Sequence, residues 1–64
     1  MHARLKAVKE LKMAGYVKKR SGGNHDIYYH TAQRCAIPLK RHDFDEDDLR
    51  YIIKEIRQNK ERSK

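Results

Sequence analysis

Residues 44–56 read FDEDDLRYIIKEI, and this stretch constrains the fold more than any other part of the chain. Leu49, Ile52, Ile53 and Ile56 recur at i, i+3, i+4 and i+7, the apolar stripe of an amphipathic helix. Asp45 suits the N-cap, and Asp48 three residues on completes a variant of the capping box. Phe44 before the cap and Leu49 after it sit where a hydrophobic staple forms. The acids Asp45, Glu46, Asp47 and Asp48 lie at the positive end of the helix dipole. Such a helix exposes one greasy face that another element must cover. A chain of 64 residues makes one small domain. It buries only about 60% of the surface its unfolded form exposes, so the cover must come from a thin core.

The cover is found upstream. ARLKAVKELKMAG reads as a first helix, with Leu5, Val8 and Leu11 at helical spacing and Lys6, Lys9 and Lys12 as a basic stripe. Gly15 ends it, because glycine adopts the left-handed conformation at low cost, and Tyr16 folds back onto Leu11. YVKKRS follows as a short strand whose Lys18, Lys19 and Arg20 suit a sheet edge. GGN is a turn, HDIYYH a β-branched and aromatic central strand, TAQ a loop, and RCAIP a third strand closed by Pro38. The order is α-β-β-β-α. The fold class is therefore α+β: one domain over residues 1–64, with a three-stranded antiparallel sheet and both helices on one face. The opposite sheet face stays open to solvent or a partner. NKERSK, residues 59–64, reads as a frayed tail. Cys35 and Ile37 share a face and read as core. Periodicity leaves open which of Tyr28 and Tyr29 joins them.

The net charge is +7, with 39% charged residues. Residues 1–42 carry ten Lys/Arg against two acids, Glu10 and Asp26, a net +8. Residues 43–64 carry six against seven, a net −1. A basic body joined to a nearly neutral C-terminal element points to a polyanion such as nucleic acid. The single cysteine, Cys35, excludes an internal disulfide. Without a secretion-like apolar segment, the reducing cytoplasm is the expected compartment. No apolar run reaches membrane-spanning length, so no membrane partner is expected.

RSGGNHDIYYH places His25 at the mouth of the second strand, beside two glycines. An unperturbed histidine titrates at about 6.5, so both protonation states are available near neutrality. Cleaving RNA through its 2′-hydroxyl needs a base, an acid and positive charge on the phosphate. His25 supplies a proton-transfer group. Lys18, Lys19, Arg20, Lys6 and Lys9 supply charge, while Gly22, Gly23 and Asn24 let a phosphate approach the backbone. Taken alone, G-N-H is a weak signal and reads first as a strand-end histidine making a turn hydrogen bond. His25 and His30, five apart, point to opposite faces of a strand, and Cys35 and His42 complete no zinc spacing. No metal site and no cofactor are expected.

LKMAGYVKKRSGGNHDIYYH, then CAIP, then DLRYIIKEI resembles the HicA-type toxins of toxin–antitoxin pairs, over roughly residues 5 to 57. The resemblance implies a fold like the double-stranded RNA-binding domain and the activity of an mRNA interferase, an endoribonuclease that arrests translation. It implies catalysis by His25, in the motif Gly23, Asn24, His25. It also implies a HicB-type antitoxin as partner, through which alone DNA would be contacted. Asn24 stands where the family often has serine, TAQR lacks the usual Pro/Gly turn, and Lys40 stands where a histidine often sits, with His42 displaced. The acidic start of the second helix opposes the phosphate grip of a duplex binder, so single-stranded mRNA is the expected substrate. Two other readings stay open: a non-catalytic nucleic-acid-binding module, and an inactive toxin homologue acting only with its antitoxin.

Overall fold

The computed structural model describes residues 2–62. The elements run α1 (Ala3–Met13), β1 (Val17–Gly22), β2 (His25–His30), β3 (Cys35–Lys40) and α2 (Glu46–Arg62). The sheet is antiparallel in the order β1-β2-β3, so β2 is central and the other two strands are edges.

Local chemistry sets each helix end. Asp48 N–H donates to Asp45 Oδ1 at 3.1 Å, and Asp45 N–H donates to Asp48 Oδ2 at 3.1 Å, so the two aspartates form a reciprocal capping box. At the end of α1, Gly15 has φ +98°. Gly15 N–H donates to Lys12 O at 3.1 Å and Tyr16 N–H to Leu11 O at 2.9 Å, the paired bonds of a Schellman motif. This turn delivers Tyr16 into the core, where it is 1% exposed.

The core joins Leu11, Tyr16, Ile37, Leu39 and Ile52, all fully buried, with Ala3, Ala7, Tyr28 and Leu49 around them. Ile53 and Ile56 are half-buried at its rim. Tyr28, Ile37 and Leu39 share the sheet face that the helices cover. Tyr29 lies half-buried on the other face, which settles the pair the periodicity left open. That open face also carries exposed Val17, Ala36 and Pro38.

Three expectations are corrected. The buried face of α1 is Ala3, Ala7 and Leu11, whereas Leu5 is 59% exposed. At about 100° per residue, Leu5 lies roughly 160° from Ala7, on the far side of the helix. Ala3, Ala7 and Leu11 recur at i, i+4 and i+8, so they form one stripe that faces the core. Pro38 does not close β3: the strand continues to Lys40, with Pro38 paired to Ile27. An edge strand tolerates proline because one of its rows of N–H groups has no strand partner. The third correction concerns the tail, since α2 runs unbroken to Arg62. Asn59 is buried there and donates Nδ2–H to the Tyr16 hydroxyl at 3.0 Å. Ser63 and Lys64, the rest of the expected tail, lie outside the described residues. Smaller shifts place Gly22 inside β1 and Arg34 inside the second loop, at φ +54°.

Candidate active site

The β1–β2 hairpin turns on Gly23 and Asn24, with Gly23 at φ +56°. A positive φ at the first turn position is where a type II′ hairpin calls for glycine. The turn is tied to the chain after β3: Arg41 N–H donates to Asn24 O at 3.0 Å, and Arg41 Nη1 to Gly23 O at 3.4 Å. His25 opens β2 on the open sheet face and is exposed. Its register partners are Gly22 on one side and Lys40 on the other. Gly22 contributes no side chain and has open space around it, so the imidazole stands clear on that flank. Among the described residues His25 makes no hydrogen bond, ion pair or ring contact.

A groove of about 370 Å3 runs past this imidazole, lined by Asn24, His25, Lys40, His42 and Asp43. A second groove shares His25 and Lys40 and continues over Pro38 and Phe44 to Tyr51, which is 55% exposed. Lys40 Nζ donates to Asp43 O at 3.2 Å and to Asp48 Oδ2 at 3.3 Å, which holds its charge at the junction of the two. Asp48 is held below the usual carboxylate range. Its hydrogen bond from the Asp45 backbone is the main cause and outweighs burial, and Lys40 adds to it. Asp43 turns the chain here in the left-handed region, at φ +55°.

Behind His25, on the covered face, lies the next residue in sequence. Asp26 is buried at 4% exposure among three cations. Its Oδ2 accepts from Arg4 Nη2 at 2.6 Å and lies 4.0 Å from Lys18 Nζ, and its Oδ1 lies 3.7 Å from Arg41 Nε. Oδ1 has no hydrogen-bond partner. Burial alone would raise the carboxyl pKa. The neighbouring Ser21 hydroxyl and the charges of Lys18, Arg4 and Arg41 outweigh it and hold Asp26 below the usual range. Arg4 also donates Nε–H to Lys40 O at 2.9 Å, fixing the end of β3 against α1. One carboxylate thus anchors several cations beside the hairpin mouth and leaves a positive excess there.

The predicted phosphate-binding residues separate into groups. Gly22, Gly23 and Asn24 form the mouth beside His25. Lys18 turns toward Asp26. Lys19 falls at a bulge, outside the pairing, and its Nζ sits 4.4 Å over the Tyr29 ring on the open face. Arg20, opposite Ile27, shares that face. Lys6 and Lys9 do not join them: they line a separate groove between the helices with Glu10, Met13, Leu49 and Ile53. Their helical spacing placed them together, but the face they occupy follows from how α1 packs. The residues that sequence reasoning missed are Arg4, Lys40, Arg41, His42 and Tyr51. Ending β3 at Pro38 hid Lys40 and His42: the strand continues to Lys40, which sets Lys40 opposite His25 and carries His42 into the same groove.

Among the described residues no group of three or more His, Cys, Asp or Glu side chains comes together as a metal site requires. No described helix is long and apolar enough to cross a membrane. Comparison with protein-family models, curated proteins and solved structures finds no significant match to this chain.

Proposed function

We propose that the chain is a metal-independent endoribonuclease, an mRNA interferase of the HicA kind neutralised by a HicB-type antitoxin. The observation that carries this reading is the setting of His25, an exposed imidazole with glycine on one register flank and lysine on the other. In this reading His25 takes the proton of the RNA 2′-hydroxyl, which needs a base free of other partners. Lys40 and Arg41 place positive charge where the phosphate gains negative charge in the transition state. Gly22 and Gly23 let the ribose-phosphate backbone reach the strand end. Glu46, Asp47 and Asp48 in the first turn of α2 repel the second strand of a duplex, which favours single-stranded mRNA. The +8 body gives an acidic antitoxin a surface to find and cover, in competition with RNA.

The test uses purified protein and end-labelled single-stranded and duplex RNA, with and without chelator. Cleavage of the single strand that survives chelation and leaves a 2′,3′-cyclic phosphate is the expected result. RNA bound but never cut, at any protein concentration that saturates binding, overturns the enzyme reading in favour of a binding module. Co-expression with an acidic antitoxin restores growth, and excess RNA weakens the antitoxin complex.

A further inference from the structure

We infer that His42 is the general acid of the same site, so that cleavage uses two imidazoles that line a single groove. The inference rests on the endoribonuclease reading and names the group that reading leaves unassigned. His25 and His42 both line the groove with Asn24, Lys40 and Asp43, and both are exposed to an incoming strand.

The fold holds His42 in place from both sides. Before it, Arg41 N–H is bonded to Asn24 O at 3.0 Å, which ties the segment to the His25 hairpin. After it, Asp43 O accepts from Lys40 Nζ at 3.2 Å. The side chain therefore sits on a short bend between two anchored residues and not on a loose loop.

The other groups nearby are occupied or unsuited. Arg41 is committed to Gly23 O and Asp26, and a guanidinium does not release its proton. Lys40 Nζ is shared between Asp43 O and Asp48, which suits it to charge compensation. Tyr51 opens onto the neighbouring groove. Imidazole is the side chain that both takes and gives a proton near neutrality.

The step balances without any further reactant. Neutral His25 accepts the 2′-hydroxyl proton as the 2′-oxygen bonds to phosphorus. The bond from phosphorus to the 5′-oxygen breaks, and that oxygen takes a proton from the His42 imidazolium. The products are a 2′,3′-cyclic phosphate and a free 5′-hydroxyl, and exchange with solvent resets both imidazoles.

The test compares ordinary RNA with the same oligonucleotide carrying sulfur in place of the 5′-bridging oxygen at the mapped cleavage site. A thiolate leaves without a proton, so that substrate needs no general acid. His42→Gln is expected to lose about 10²–10⁴-fold in rate on ordinary RNA, the usual worth of one proton-transfer group. Its RNA affinity and unfolding temperature are expected to match wild type, and most of the lost rate should return on the sulfur substrate. His25→Ala should stay defective on both. An equal loss for His42→Gln on the two substrates, or no loss on ordinary RNA, overturns the assignment. Failure of the wild-type protein to cut either one removes the ribonuclease reading itself, a different outcome from a wild type that cuts and a His42→Gln variant that cuts equally well.

Discussion

The two ends of β2 both carry a histidine, and the two are put to opposite uses. His25 stands exposed between Gly22 and Lys40 with no partner among the described residues. His30 is half-buried and held by its neighbours. Its Nδ1 accepts from Gln33 N–H at 3.1 Å, and its ring meets Tyr16 edge-on at 5.1 Å and 76°. Gly15 lies so close that a Cβ there would fall 2.8 Å from His30 Nε2. One imidazole braces the second loop against the end of α1, while the other is left free for chemistry. Residue type does not distinguish them. What distinguishes them is what the strand register and the helix end place alongside.

That contrast is open to direct attack. His25→Ala should lower RNA cleavage by about 10²–10⁴-fold and leave the unfolding temperature unchanged, because the side chain is exposed and lies outside the core. His30→Ala should do the reverse, lowering stability in a denaturant titration and affecting cleavage only through unfolding. If both variants lose activity at unchanged stability, the division of labour is wrong.

Each end also has its own buried polar anchor. Asp26→Ala leaves Arg4, Lys18 and Arg41 without their carboxylate; the cations stay partly solvated, so the loss is that of the charge-assisted hydrogen bond from Arg4, roughly 1.5–3 kcal/mol. Chemical denaturation of the variant measures this. Gly15→Ala acts at the other end, forcing alanine to φ +98° against His30. Strain of this kind costs roughly 1–3 kcal/mol, and pairing the change with His30→Ala should recover the part due to the clash.

The two ends should respond to pH in opposite directions. The folded-state pKa of Asp26 is depressed, so its contribution is present above the unfolded value near 3.8 and is lost as pH falls below it. Tyr16 behaves the other way. Burial chiefly, with the Cys35 contact, pushes its hydroxyl up to about 12 from 10.0, against a lowering from Asn59. Its contribution is full below pH 10 and fades as pH rises through 12. Melting curves across pH should show an acid limb that flattens in Asp26→Asn and an alkaline limb that flattens in Tyr16→Phe. The smallest effect is expected from Asn59→Ala. It removes one hydrogen bond to Tyr16, worth roughly 0.5–1.5 kcal/mol, and shifts the melting temperature by about 2–12 °C.

Much of the chain was legible because its signals are short-range. The Asp45–Asp48 capping box, the Gly15 helix end, the Gly23 turn and the alternation in HDIYYH each depend on atoms within about five residues. All four formed as the residue types required. The site was legible only in part. His25 stood out beside its glycines, whereas Lys40 and His42 entered only once β3 ran past Pro38 and set Lys40 opposite His25. The proline looked like a strand end because its missing N–H breaks a ladder in a central strand, and nothing local marks β3 as an edge.

The sequence by itself determined the element order, the end of α1, the start of α2 and the concentration of positive charge in residues 1–42. The tertiary structure decided which face of α1 is buried, which of Tyr28 and Tyr29 enters the core, and which cations gather at the hairpin mouth. Those outcomes depend on partners distant in the chain: Arg4 meets Asp26 22 positions away, and Asn59 meets Tyr16 43 positions away. A helix with leucine on one side and alanine on another can bury either face in isolation. Only the surface it docks against selects the face of Ala3, Ala7 and Leu11 over that of Leu5.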